Sequence, residues 1–132
     1  MRYSPHDYQL YAIRYIEEHP IAAVLLDMGL GKTSITLTAL ADLLFDSFEV
    51  HKVLVIAPLR VARTTWSDEI QKWEHLSILQ YAIAVGTEDE RLSALRSQAD
   101  IYIINRENMQ WLIEKSGIAF DFDMVVVDEL SS

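Results

Sequence analysis

The stretch Asp27-Met28-Gly29-Leu30-Gly31-Lys32-Thr33 decides how this chain is read. It follows an apolar run, Ile21-Ala22-Ala23-Val24-Leu25-Leu26, that reads as a short buried strand. It precedes residues 34–45, which contain no Gly or Pro, are apolar on most faces, and read as a buried helix. Strand, glycine loop and helix in that order build a cradle for phosphate. Gly29 and Gly31 let backbone N–H groups converge on anionic oxygens, and the helix N-terminus adds partial positive charge. In that frame Lys32 supplies a point charge to the β- and γ-phosphates of a nucleotide, and the Thr33 hydroxyl is a ligand for Mg²⁺. The full phosphate-loop pattern G-x-x-x-x-G-K-[ST] is not met, because Leu26 stands at the first glycine position. The plain alternative is a glycine turn whose Lys and Thr are an ordinary first helical turn. A carboxylate motif on a second strand would weigh against that alternative.

The 132 residues allow one domain with a real core. A hydrophobic fraction of 51% with 10% aromatics is that of a folding chain. The absence of Cys excludes disulfides and thiolate metal sites, and fits a reducing, intracellular setting, so a cytoplasmic location is expected. The N-terminus lacks an apolar signal core, and no apolar run approaches the about 18 residues of a membrane span. Neither export nor a membrane partner is expected. Net charge is −9, from 20 acidic and 11 basic residues. That balance argues against a stand-alone, non-specific nucleic-acid binder, and leaves room for a nucleic-acid motor whose basic surface is local.

Residues 5–18 read as a first helix, with Ser4 as N-cap, Pro5 at the first helical position and Pro20 as the stop. Residues 52–57 are a second apolar strand, stopped by Pro58. Ala62, Trp66, Ile70 and Trp73 then recur at helical spacing, with the Trp66/Trp73 pair read as core. Residues 78–85 are a third strand ended by Gly86, and residues 88–96 a helix with acids first and Arg96 near its end. Residues 101–104 form a fourth strand, residues 105–115 a helix capped by Gly117, and residues 124–127 a fifth strand. Strands apolar throughout are buried on both faces, and alternating them with helices gives a parallel α/β sheet. Ligands of such sheets sit at the carboxyl ends of the strands, which is where every candidate functional residue of this chain falls. The four histidines have no metal-ligand spacing and read as surface or capping residues.

The last strand runs straight into Asp128-Glu129. Two carboxylates there suit two roles. The first holds a metal through water, and the second orients or deprotonates the water that attacks a γ-phosphate. Taken alone, the pair could equally be a polar strand end. Joined to the glycine loop in one parallel sheet, it points to nucleotide hydrolysis.

These residues resemble a family. Asp27 to Thr33 is similar to the first motif of superfamily 2 helicases, and closely to that of their Snf2-type branch, whose loop also does without the first glycine. Val127-Asp128-Glu129-Leu130-Ser131 resembles the second motif, with Leu130 and Ser131 in place of Ala and His. The variant Asp-Glu-Leu-Ser-Ser looks like that of phage and prophage members, and leaves open how ATP state is coupled to nucleic-acid grip. The resemblance covers essentially the whole chain, in the order Q, I, Ia, Ib, II.

The resemblance implies a RecA-like, three-layer parallel sheet with helices on both faces, a P-loop NTPase lobe spanning residues 1–132. It implies ATP and Mg²⁺ as cofactors, bound by Gln9, Met28, Gly29, Leu30, Gly31, Lys32, Thr33 and Ser34. Gln9 would read the adenine edge with its amide, although an ordinary exposed helix Gln is the alternative. Lys32, Asp128 and Glu129 would be catalytic, and Thr33 and Asp128 would hold the metal. Arg60, Arg63 and Thr64 match the loop that touches the nucleic-acid backbone, against a solvated helix start as the alternative. Asn105 and Arg106 sit where motif Ib lies, and Asn105 could equally be only a helix cap.

DNA is the expected partner, through the full-length protein. The second RecA-like lobe of the family, with its arginines, has no counterpart in these residues, so residues 1–132 alone are expected to be nearly inactive. Two other classes stay open. One is another P-loop enzyme, disfavoured because no acceptor site or lid is found. The other is a nucleotide-gated interaction module without chemistry.

Overall fold

The structure is a computed structural model that describes residues 23–26, 32–46 and 51–128. Among the described residues, five strands alternate with four α-helices: β1 (Ala23–Leu26), α1 (Lys32–Ala41), β2 (Val53–Ala57), α2 (Trp66–Lys72), β3 (Tyr81–Ala84), α3 (Glu88–Arg96), β4 (Ile101–Asn105), α4 (Met109–Glu114) and β5 (Met124–Asp128). The helix expected over residues 5–18 lies outside the described residues.

All five strands form one sheet in the order β1-β5-β2-β4-β3, and every pairing is parallel. The register brings Leu26 beside Asp128, Ile56 beside Val127, and Ala57 beside Asn105. The ends of β1, β5, β2 and β4 therefore stand side by side along one edge.

Continuous β-branched and aliphatic runs form these strands because both faces of the sheet are covered. Successive side chains alternate between two cores. Val53, Val55, Ile101, Ile103 and Val126 pack on one face with Leu37 and Leu40 of α1 and Trp66 and Ile70 of α2. Leu54, Ile56, Ile104, Val125 and Val127 pack on the other face with Leu95 of α3 and Met109 and Leu112 of α4. This is the three-layer α/β arrangement expected from the sequence. Each of these buried aliphatic side chains contributes about 1.5–3 kcal/mol, which makes the sheet a stiff platform for its carboxyl edge.

Several boundaries differ from the sequence reading. Strand β3 begins at Tyr81 rather than at residue 78. A 3₁₀ turn at Glu74–Leu76 precedes it, and Ile78 is 59% exposed. The Asp100 carboxylate accepts from the Gln80 N–H (2.9 Å) and fixes the strand entry there. Residue 105 ends β4 instead of starting a helix, and a 3₁₀ turn at Arg106–Asn108 leads into α4. Trp66 is fully buried, but Trp73, the other half of the expected core pair, is 40% exposed. Helix α2 stops at Lys72, and Trp73 is extended, so its ring leaves the helical stripe. The Trp73 indole N–H donates to Glu69 (2.7 Å) and the Lys72 ammonium lies over its ring.

Helix α3 starts at a capping box: Thr87 Oγ1 accepts from the Glu90 N–H (3.2 Å), and the Glu90 carboxylate accepts from the Thr87 N–H (3.1 Å). Gly86, just before it, has φ +112°, a conformation that suits glycine.

Candidate functional site

Asp128 is the last residue of β5 and 1% exposed. A carboxylate this deep needs partners. The Trp66 indole N–H, at the start of α2, donates to Asp128 Oδ2 at 3.3 Å. Because β1 and β5 pair in parallel, the chain leaving Leu26 into residues 27–31 departs beside Asp128. That chain re-enters regular structure at Lys32, the first residue of α1, followed by Thr33 and Ser34. The backbone thus sets the end of the strand that precedes α1 in sequence beside a buried carboxylate.

Gln9, Met28, Gly29, Leu30, Gly31 and Glu129 lie outside the described residues. Among the described residues, no group of three or more His, Asp or Glu side chains could cage a metal ion. The Asp128 carboxylate at the end of β5 is a ligand type that suits Mg²⁺, which keeps most of its waters and takes one or two carboxylates plus phosphate oxygens. Here Asp128 would supply a carboxylate from the protein.

The second group of expected residues lies one strand further along the edge. After Pro58 the chain turns into a helix that passes through a π-helical turn at Val61–Thr65 before α2. Val61 and Ala62 point into the core, while Arg60, Arg63 and Thr64 are exposed. Leu59, Arg60, Arg63, Thr64 and Glu107 line a groove of about 390 Å³. Thr64 Oγ1 donates to the Arg60 carbonyl (3.1 Å), which fixes this turn.

Asn105 is placed differently. It is 5% exposed, its amide Nδ2 donates to Glu107 (2.8 Å), and its Oδ1 accepts from Asn108 (2.7 Å). Its side chain braces the turn after β4 and places the Glu107 carboxylate in the groove. Arg106 is half-buried.

Two features were not anticipated from the sequence. The Trp66–Asp128 hydrogen bond joins residues 62 apart, and no local pattern announces it. The capping box was legible as Thr87-x-x-Glu90. It also bears on the groove: the Thr87 backbone N–H and then its hydroxyl hold the Glu90 carboxyl below its ordinary value, against a small desolvation effect, and the Arg63 guanidinium lowers it further. Glu90 and Arg63 therefore feel each other's charge.

A family profile described as DEAD/DEAH box helicase matches residues 6–131. The chain is 36% identical over 128 residues to putative protein p41 of Acyrthosiphon pisum secondary endosymbiont phage 1, covering 96% of this chain and 28% of that protein. It is 31% identical over 113 residues to protein CHROMATIN REMODELING 25 of Arabidopsis thaliana, covering 78% of this chain and 12% of that protein. It is 31% identical over 109 residues to DNA excision repair protein ERCC-6-like of Mus musculus, covering 78% of this chain and 9% of that protein. The chain thus spans less than a third of the length of these relatives.

Proposed function

This chain belongs to the DEAD/DEAH box helicase family, in its Snf2-like branch, and from that premise we propose that it is the ATP-binding lobe of a DNA-dependent ATPase that moves on DNA. The observation that carries the reading is the buried Asp128 carboxylate, set by the parallel β1–β5 pairing beside the strand that feeds the glycine loop.

The roles follow from chemistry. The Gln9 amide reads the adenine edge. Backbone N–H groups of residues 28–34 and the Lys32 ammonium neutralise the β- and γ-phosphate oxygens. Thr33 and Asp128 would hold Mg²⁺, which would supply neutralisation of charge developing on the phosphate oxygens. Glu129 orients the attacking water and accepts its proton. The water oxygen bonds to the γ-phosphorus as the bond to the β–γ bridging oxygen breaks, giving ADP and phosphate.

In the whole protein we place arginines of a second lobe across the cleft, where such groups contribute about 10³–10⁵ in rate. The groove of Arg60, Arg63 and Thr64 takes the DNA backbone, with Asn105 and Arg106 at the neighbouring turn after β4. The reading is tested by measuring ATP hydrolysis by the full-length protein with and without duplex DNA, beside Lys32→Ala and Glu129→Gln. Lys32→Ala loses nucleotide binding while remaining folded. Glu129→Gln keeps ATP bound but stalls a single turnover. Retained DNA-stimulated hydrolysis in either variant refutes the assignment. Residues 1–132 alone bind Mg-ATP weakly and turn over negligibly, and a robust DNA-stimulated rate from that polypeptide would refute the need for a second lobe.

A further inference from the structure

Trp66 stands between the two halves of the site. Its ring is fully buried at the start of α2, and its only polar atom faces Asp128. The helix that carries it also carries the groove: Arg63 and Thr64 lie three and two residues before it, through the π-helical turn. That segment is tied together along its length. The Ala62 N–H donates to the Pro58 carbonyl (2.8 Å), Thr64 Oγ1 to the Arg60 carbonyl (3.1 Å) and Ser67 Oγ to the Thr64 carbonyl (3.1 Å).

A π-helical turn widens the helix by one residue and commonly marks a functional position. Here it separates the phase of an exposed Arg60–Arg63–Thr64 face from that of the buried Trp66–Ser67–Ile70 face. Dense packing around Trp66 leaves the indole little freedom to move independently of its helix. A displacement of that helix therefore alters the donor–acceptor distance at Asp128.

We propose that Trp66 is a positioning residue for Asp128, and that it transmits occupancy of the Arg60–Arg63–Thr64 face by a nucleic-acid backbone to that carboxylate. The inference rests on the nucleotide and DNA assignments above. At 3.3 Å the contact is longer than the usual 2.7–2.9 Å of a charge-assisted hydrogen bond. It can therefore tighten when phosphates draw on the helix. Tightening orients the carboxylate toward metal-bound water without adding a new ligand. Because coupling is reciprocal, metal and nucleotide would strengthen the grip on DNA by the same factor.

The test uses the full-length protein with Trp66→3-benzothienylalanine, which keeps the ring shape and lacks the N–H, beside Trp66→Phe. Binding of a fluorescent ATP analogue is titrated with Mg²⁺, with and without duplex DNA, and thermal denaturation is followed in parallel. In the unsubstituted protein, DNA lowers the Mg²⁺ midpoint. The benzothienyl variant keeps the fold with a melting temperature lowered by a few degrees through the lost hydrogen bond, its midpoint rises about tenfold, as for the loss of an outer-shell partner, and DNA no longer shifts it. Trp66→Phe shows the same loss of the DNA shift, with a lower melting temperature from the cavity it leaves. An unchanged midpoint in the benzothienyl variant, or a DNA shift that survives in it, overturns the proposal, as does an unsubstituted protein whose midpoint DNA does not move. Failure of the unsubstituted protein to bind nucleotide at all would instead overturn the functional assignment, and this inference with it.

Discussion

At the β1–β5 end of the sheet's carboxyl edge, the Asp128 carboxylate is 1% exposed and accepts from a buried indole. At the β2–β4 end, Arg60, Arg63 and Thr64 stand in solvent around a groove that also contains a carboxylate. The first end is dry at Asp128, so that charge is strong and sensitive to small shifts of its donor. The second is wet, so each charge is weak, screened by salt, and additive with its neighbours. The proposed motor would use both: a buried charge where a bond breaks, and a renewable grip where a polymer slides.

Substitution at the dry end should have the largest effect. Asp128→Asn in the full-length protein keeps the shape and removes the charge. A metal-organising carboxylate supplies several kcal/mol in the transition state, so single-turnover hydrolysis should fall at least about 10²-fold. DNA affinity measured without nucleotide should be nearly unchanged. A comparable fall in both would mean that the two ends are not separable.

The double variant Arg60→Ala/Arg63→Ala probes the wet end. Each lost phosphate contact reduces the salt dependence of binding by roughly one unit of log–log slope. The variant should therefore bind duplex DNA more weakly, with a slope shallower by about two, and with Mg-nucleotide affinity retained in the absence of DNA. An unaltered slope would place the DNA elsewhere on the protein.

Gly86→Ala tests the turn that leads into the Thr87–Glu90 capping box. A Cβ there would meet Glu90 Oε1 at 2.9 Å, and φ is +112°. Both effects destabilise, by a total of about 1–3 kcal/mol, and should appear as a lower Tm. An unchanged Tm would show that the turn relaxes without cost.

The dry end is where sequence reading worked best for architecture and worst for contacts. Apolar runs over residues 53–57, 101–104 and 124–127 are legible as buried parallel strands because nothing else explains so many β-branched residues without alternation. The position of Asp128 at a strand end follows from that. Its partner does not, since Trp66 is a helix-face aromatic whose N–H has no local signature, and only the packing of α2 on the sheet reveals where it points. Asn105 and Trp73 show the converse. Each has a side chain that suits a contact or a core, yet a one-residue choice of where a strand or helix stops turned the first inward and the second outward. Such stops are set by competition between caps and tertiary packing, which short windows of sequence do not resolve.

The smallest expected effect lies where the acidic start of α3 meets the groove. Thr87 holds the Glu90 carboxyl below its ordinary value, and Arg63 assists. The charged form is thus favoured in the folded state. Its contribution to stability is present above the unfolded value of about 4.3 and is lost as pH falls through the lowered folded value. Glu90→Gln preserves the capping geometry, because Gln also serves in a capping box, but it removes the charge. The Tm difference between the two proteins should be constant from pH 6 to 8, on the order of a degree, and should shrink below about pH 4. The same substitution frees Arg63 from a neighbouring negative charge. Duplex DNA should therefore bind slightly tighter at low salt, by about twofold or less, with the gain vanishing as salt rises. If the gain persisted at high salt, the Glu90–Arg63 relationship would be steric rather than electrostatic, and the wet end would be more rigid than its exposure implies.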